Sequence, residues 1–267
     1  VSSEQVDDTG AVVPVPETVT RIVSLVPSLT ESVAATLPGA LVGVTDWCSH
    51  PADLDVTRVK GTKNPDVELI RRLRPDVVLA NAEENRAPDI EALRAAGVPV
   101  WVTRIETLEE AFASLARMFA GACRTGRPGW LDRAEESWRA PYDGPRRSAV
   151  IPIWRRPWMV AGRDTFTGDV LARLGVDNLY AGHPERYPKI PLPELVAAGP
   201  DLVVLPDEPY AFSATDGPES FPGLPCALVS GRLLTWYGPS LTAARPALEA
   251  ALSAGLSAGR AGPGTPA

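Results

Sequence analysis

Arg74-Pro75-Asp76-Val77-Val78-Leu79, in the first third of the chain, returns in the last third as Gly199-Pro200-Asp201-Leu202-Val203-Val204-Leu205. Each string is a turn-forming Pro-Asp pair followed by a continuous apolar, β-branched run, the composition of a short strand buried on both faces. A second pair keeps the same order. Thr30-Glu31-Ser32-Val33-Ala34-Ala35-Thr36-Leu37 is matched by Thr167-Gly168-Asp169-Val170-Leu171-Ala172-Arg173-Leu174. Any helix followed by a Pro-Asp strand gives one such match by chance; two in one order indicate two related α/β halves.

Around the first string the elements alternate. Arg21-Ile22-Val23-Ser24-Leu25-Val26 is a β-rich run closed by Pro27, and Ser28 or Thr30 can cap a helix over 30–37 with Glu31 in its first turn. Leu41-Val42-Gly43-Val44 is a second strand, followed by a helix over 67–73, a strand over 76–80, a helix over 89–96 and a strand over 98–102. This alternation predicts a parallel sheet covered on both faces. The second half repeats the plan with a strand over 149–153, helices over 167–174 and 192–198, and a strand over 202–205. A final strand over 233–236 and a helix over 241–256 complete it. Between the halves, Thr107 can cap a strongly helical stretch over 108–122, and a second runs over 130–138. Arg124-Thr125-Gly126-Arg127-Pro128-Gly129 should break or kink the helix between them. The predicted organisation is an arm or edge hairpin at 1–20, an α/β lobe at 21–105 and a bridging helical segment at 106–140. A second α/β lobe at 141–256 and a Gly/Pro/Ala tail at 257–267, expected to be disordered, follow.

Composition narrows the function classes. Lys+Arg 26 against Asp+Glu 33 leave a net charge of −7, which argues against a nucleic-acid groove or an anionic membrane surface as partner. A hydrophobic fraction of 45% over 267 residues suits a chain with a real core. No apolar run approaches the roughly 20 residues of a membrane-spanning helix. Cys48, Cys123 and Cys226 give neither a disulfide framework nor a four-ligand zinc spacing, and with only His50 and His183 a three-histidine metal site is impossible. No paired-carboxylate spacing, nucleophile elbow or phosphate-cradling glycine loop rises above chance, so no enzyme is expected. The sequence opens Val1-Ser2-Ser3-Glu4 without a basic or apolar leader. The expectation is an extracytoplasmic protein if a signal has been removed, and a cytoplasmic one if the chain is complete.

The order of elements and several local strings resemble the helical-backbone (class III) substrate-binding proteins of metal-chelate ABC importers, the class containing vitamin B12-binding and ferric-siderophore-binding proteins. The carriers are Asp8-Thr9-Gly10, Arg21-Ile22-Val23-Ser24-Leu25-Val26-Pro27-Ser28-Leu29-Thr30-Glu31, Gly61-Thr62-Lys63-Asn64-Pro65 and the two Pro-Asp strings, and the likeness runs from Val6 to Leu256. The resemblance implies two Rossmann-like lobes with parallel sheets, bridged by a long backbone helix acting as a stiff hinge, with the ligand in the cleft between them. It implies a cobalamin or other corrinoid, or a ferric siderophore, as ligand, with haem behind them. It further implies no covalent cofactor, a monomer, and an ABC permease as partner. Class members that dock on a permease commonly present one surface glutamate per lobe. Glu68 fits the first position; the second falls at Pro193, with Glu194 one residue on.

Open parallel sheets bind ligands beyond the carboxyl ends of their strands. Trp47, Trp154, Trp158 and Trp236 fall in such loops, in a chain with seven tryptophans against five phenylalanines. Rigid aromatic faces suit a large flat chelate, while loop tryptophans can equally cap the core; Trp101, Trp130 and Trp138 read as packing. Glu208, Tyr210 and Tyr237 lie in the same loops. Arg155 and Arg156 can neutralise an anionic siderophore or a corrinoid phosphate and stack on an indole, or be a solvated basic pair. Lys63 and Arg86 carry the same two readings. Glu83 and Glu84 can accept hydrogen bonds from ligand amides, cap a helix or pair with the arginines. Cys48 and His50, two apart in an extended segment, can face one metal centre, and His183-Pro184 stands in the second lobe where His50-Pro51 stands in the first. The weightier reading is a buried thiol and two loop histidines. The alternative function is a leaderless cytoplasmic member of the fold, a metal or metal-chelate carrier or an enzyme using Cys48 and His50.

Overall fold

The computed structural model describes residues 2–260, which divide into two compact units. Unit 1 takes the chain to Ile105 together with Glu109–Glu135 and Tyr237–Pro239; unit 2 takes Glu106–Leu108, Glu136–Trp236 and the chain from Ser240 onward. Among the described residues no helix is long and apolar enough to cross a membrane.

Unit 1 opens with an antiparallel hairpin, β1 (Ser2–Val6) and β2 (Val12–Pro16). Its turn is built by two aspartates. Asp7 accepts from the Thr9 and Ala11 backbone N–H groups, the Thr9 hydroxyl and Arg94, while Asp8 accepts from the Arg104 N–H and pairs with Arg117 at 2.8 Å. There follow β3 (Ile22–Ser24), α1 (Pro27–Thr36), β4 (Leu41–Val44), β5 (Thr57–Arg58) and a small hairpin of β6 (Lys60–Gly61) and β7 (Asn64–Pro65). Next come α2 (Val67–Leu73), β8 (Val77–Asn81), α3 (Ala87–Ala95) and β9 (Val100–Thr103). The five-stranded sheet runs β5-β4-β3-β8-β9, all parallel. Contrary to expectation, neither Ser28 nor Thr30 caps α1. The helix begins at Pro27, whose fixed φ suits the first turn, and both hydroxyl residues lie buried inside it.

The helical stretch after β9 is divided. α4 (Leu108–Arg117) passes into a π-helical turn, Met118–Ala122, and after the Arg-Thr-Gly-Arg-Pro-Gly string the chain resumes as α5 (Gly129–Ser137). The break falls where that string predicts it, with Arg124 at φ 53. The helical run over 108–122 and the helix over 129–137 stand on either side of that break, close to the two expected stretches. Gly121 lets the π turn approach β9 closely: a Cβ there would stand 2.7 Å from the Trp101 ring. Trp101 and Trp130 are buried in unit 1, Trp138 in unit 2.

Unit 2 contains β10 (Arg147–Val150), β11 (Pro152–Trp154), β12 (Met159–Val160), α6 (Phe166–Ala172), β13 (Val176–Asn178) and α7 (Leu192–Ala197). It ends with β14 (Leu202–Pro206), β15 (Cys226–Val229), α8 (Gly231–Thr235) and α9 (Leu241–Arg260). Its parallel sheet runs β13-β10-β14-β15, and β11 and β12 form a separate hairpin. The expected strand over 233–236 is instead helix α8. Ser230 caps it by accepting from the Leu233 N–H, and the true edge strand is β15, just before. The tail expected to be disordered from 257 is helical to Arg260; residues 261–267 lie outside the described part.

The sequence repeat has a physical role. Asp76 precedes β8 and its Oδ2 accepts from the Thr20 and Arg21 N–H groups at 2.8 and 2.9 Å, at the foot of β3. Asp201 precedes β14 and its Oδ2 accepts from the Ser148 N–H and hydroxyl at 2.8 and 2.9 Å, at the foot of β10. In both units the aspartate ties the starts of two central strands together. The order β4-β3-β8-β9 in unit 1 corresponds to β13-β10-β14-β15 in unit 2. Each sheet therefore changes winding direction beside the strand that its aspartate secures, where doubly wound folds present ligand-binding loops.

Candidate functional site

The rim of unit 1, beyond the carboxyl ends of β4 and β8, is organised by two buried asparagines. Asn81 accepts from the Glu83 and Glu84 N–H groups and donates to the Thr103 hydroxyl; Asn85 accepts from the Asn81 N–H and donates to the carbonyls of Leu25 and Thr62. The side-chain amides thus replace the backbone partners that a sharp loop lacks. Lys63 donates to the Glu83 carbonyl at 2.6 Å, which holds the tip of the β6–β7 hairpin against this loop. Glu84 is half-buried, and burial pushes its carboxyl above the ordinary carboxylate range, with Lys63 opposing and Glu83 adding to the shift. Arg86 is engaged by Asp89 at 2.8 Å. Trp47 stands 68% exposed. Tyr237, which belongs to this unit, is only 7% exposed and reads as packing.

The metal-ligand grouping is not assembled. The segment carrying Cys48 and His50 is turned rather than extended: the Cys48 N–H bonds to Thr45 O and the Ser49 N–H to Trp47 O. The premise of a shared extended face therefore fails. Cys48 is buried, its Sγ 3.0 Å from the Thr30 hydroxyl and 3.2 Å from that of Thr45, and burial pushes the thiol up, disfavouring thiolate. His50 Nδ1 faces the Ser49 hydroxyl at 3.0 Å, and in unit 2 His183 Nδ1 accepts from the Glu185 N–H. Among the described residues no three His, Cys, Asp or Glu side chains come together as a metal site.

The rim of unit 2 is of a different kind. The β11–β12 hairpin and the loop after β14 pack face to face as an aromatic cluster continuous with the core. Trp158 stacks on Phe212 at 6.0 Å and 9° and meets Phe221 edge-on at 5.3 Å; Tyr210 tilts against Phe212 at 4.6 Å; Trp154 meets Tyr210 edge-on at 5.6 Å. Trp154 remains 42% exposed and Tyr210 half-exposed, so these two form the outer wall. Arg155 lies inside the cluster, 5.3 Å from the Trp158 ring centroid, in ion pairs with Asp216 and with Glu219 at 2.6 Å, and donating to the Ser220 hydroxyl. The Tyr210 hydroxyl donates to Asp216 at 2.7 Å, and the carboxylate so engaged pushes the phenol up. The Gly217 N–H first, and then Arg155, hold the Glu219 carboxyl below its usual range. Arg156, the next residue, is exposed.

Just past the end of β14, Glu208 is half-buried. Trp236 donates to one of its oxygens, Oε1 has no partner among the described residues, and burial, then the Asp207 charge, push the carboxyl up. Gly231 permits this packing: a Cβ there would fall 2.3 Å from Glu208 Cγ. Trp236 is only 8% exposed, so it supports Glu208 rather than forming an open face. The sequence reading missed Phe212, Phe221, Asp216 and Glu219. The Tyr210-Ala211-Phe212 alternation after a buried strand was the available signal for the aromatic pair. Nothing local in the sequence marks the two acids as partners of an arginine some sixty residues earlier.

No family sequence model matches the chain. It is similar to the vitamin B12-binding protein of Pectobacterium carotovorum subsp. carotovorum, 23% identical over 201 residues that cover 71% of this chain and 72% of that protein. Among solved structures, CeuE of Helicobacter pylori with Ni(II) bound superposes with a TM-score of 0.79 at 16% identity, covering 96% of this chain and 91% of that one. A periplasmic heme-binding protein of Pseudomonas aeruginosa superposes with a TM-score of 0.69 at 25% identity, covering 88% and 92%. In sequence and in fold the chain is thus similar to these binding proteins, and the fold it shares with them is that of two α/β units with parallel sheets.

Proposed function

We propose that this chain is an extracytoplasmic substrate-binding protein that captures a metal chelate against the aromatic rim of unit 2 for delivery to an ABC importer. The observation that carries the reading is the wall of Trp154 and Tyr210, kept partly open to solvent while Trp158, Phe212 and Phe221 buttress it from behind. An exposed, rigid aromatic face gains most from a large flat partner, because little side-chain entropy is lost on binding. Similarity to vitamin B12-binding proteins and likeness to a heme-binding protein and to a nickel-bound structure support a corrinoid, haem or ferric chelate as that partner. An enzyme using Cys48 and His50 is disfavoured by the buried, proton-retaining thiol. Glu68 on α2 and Glu194 in the first turn of α7 are both exposed, as contact with a permease requires; Glu68 is meanwhile paired with Arg71 at 2.8 Å.

The test is a titration of the purified protein with cyanocobalamin, haemin and a panel of ferric siderophores, followed by tryptophan fluorescence and calorimetry. Saturable quenching at one chelate per chain is the expected result. Linear, unsaturable quenching with every probe would overturn the reading.

A further inference from the structure

Two neighbouring arginines, Arg155 and Arg156, sit on the hairpin that carries Trp154 and Trp158, and their surroundings differ sharply. Arg155 is 15% exposed at its side chain and committed to Asp216, Glu219 and Ser220 with its guanidinium over Trp158. Arg156 is exposed, makes no hydrogen bond or ion pair among the described residues, and lies near enough to Tyr210 for its charge to act on that phenol. A largely covered cation whose charge is already matched by two carboxylates has little left to offer a ligand, and withdrawing it would leave those acids without their counter-charge. An exposed guanidinium beside an aromatic wall keeps its donors and its charge available.

We propose that the two residues divide the recognition of the chelate. Arg155 is a positioning residue that ties the loop of residues 207–221 to the β11–β12 hairpin and so sets the wall of Trp154 and Tyr210. Arg156 is a specificity-determining residue that meets a single anionic group, a carboxylate or phosphate, at the edge of a flat macrocycle lying on that wall. With Arg155 committed to Asp216 and Glu219, Arg156 is the one arginine of the β11–β12 hairpin left for a ligand, which fits a flat ring meeting it through one anionic group better than a compact polyanionic complex. The assignment rests on the chelate reading above.

The experiment titrates the full chain, at low and moderate salt, with two probe pairs that differ in the anionic group. These are haemin against its dimethyl ester, and cyanocobalamin against dicyanocobinamide, which lacks the nucleotide phosphate. In Arg156→Gln the member that carries the anionic group, in the pair that binds, should weaken about tenfold, the loss expected of one charge-assisted hydrogen bond. Its salt dependence should flatten, and the member without that group should be unaffected. In Arg155→Gln both members should weaken by one factor, leaving their ratio and salt dependence as in the unaltered protein. The double variant Asp216→Asn/Glu219→Gln loosens the same tie from its acidic side and should reproduce that uniform loss, whether or not Arg155→Gln folds. An unchanged ratio in Arg156→Gln, or a ratio abolished by Arg155→Gln, overturns the assignment. Binding of a ferric catecholate siderophore with neither macrocycle pair also overturns it, while leaving chelate binding intact. No binding across the whole panel removes both.

Discussion

At the foot of their sheets the two units are alike, and at the rims they differ. Asp76 and Asp201 each fasten the start of a neighbouring strand by the same backbone hydrogen bond. Beyond the strand ends, unit 1 builds its loops from the buried amides of Asn81 and Asn85, leaving one indole, Trp47, standing in solvent. Unit 2 builds its loops from interlocked rings and an arginine held by two acids. The repeated residues thus make the scaffold, and the chemistry of recognition lies where the repeat fails. This is why a fold can be read from internal similarity while function has to be read from its exceptions.

The contrast can be broken experimentally, most forcefully at the two tryptophan types. Trp158→Ala removes a ring packed between Phe212, Phe221 and Arg155 and should cost about 3 kcal/mol in the denaturant unfolding of unit 2. Trp47→Ala removes a solvent-facing ring and should stay within about 0.5 kcal/mol. Equal costs would erase the distinction between the rims. Next in size, Asn85→Ala leaves the Asn81 N–H and two carbonyls without partners and should destabilise unit 1 by about 2 kcal/mol. A variant as stable as the parent would show that water replaces the amide.

Asp201→Ala and Asp76→Ala should each cost about 1 kcal/mol, and similar values would sharpen the likeness at the foot of the sheets. The Ser148 N–H, then its hydroxyl, hold the Asp201 carboxyl below its usual 3.8. Its contribution is therefore present above that pH and lost as pH falls through the lowered value, so the deficit of Asp201→Ala should shrink in acid. The smallest effect belongs to Glu208, whose carboxyl is pushed above its usual 4.5 chiefly by burial. The folded chain holds that proton more tightly than the unfolded one, so the stabilisation is complete below 4.5 and lost as pH rises through the raised value. Glu208→Gln stays neutral and should gain on the parent as pH rises above about 4.5, by roughly 1 kcal/mol or less, in thermal unfolding. A gap that narrows as pH rises would contradict the burial of that group.

The sheets were legible because their strands are short, apolar and punctuated by Pro-Asp, and α2 because Asp66 caps it before a helix-forming run. Leu233-Leu234-Thr235-Trp236 misled because a four-residue apolar run has no resolvable period. The Ser230 cap, not hydrophobicity, decides for helix there. At the rims, sequence singled out Trp154, Trp158 and Tyr210 through their places after strands, yet treated Arg155 and Arg156 as one basic pair. The acids that separate them stand far along the chain, and only the folded loop brings them to one residue and not its neighbour. Cys48 and His50 failed for a related reason: spacing in sequence places two side chains on one side only while the backbone is extended, and here it turns.

The most direct measurement is calorimetric titration of the parent protein and Trp154→Ala with whichever chelate saturates the protein, alongside an unfolding curve for each. Trp154 is part of the outer wall and 42% exposed, so its loss should weaken chelate binding about tenfold while leaving unfolding nearly unchanged. Identical binding isotherms for the two proteins would show that the chelate does not lie on this wall.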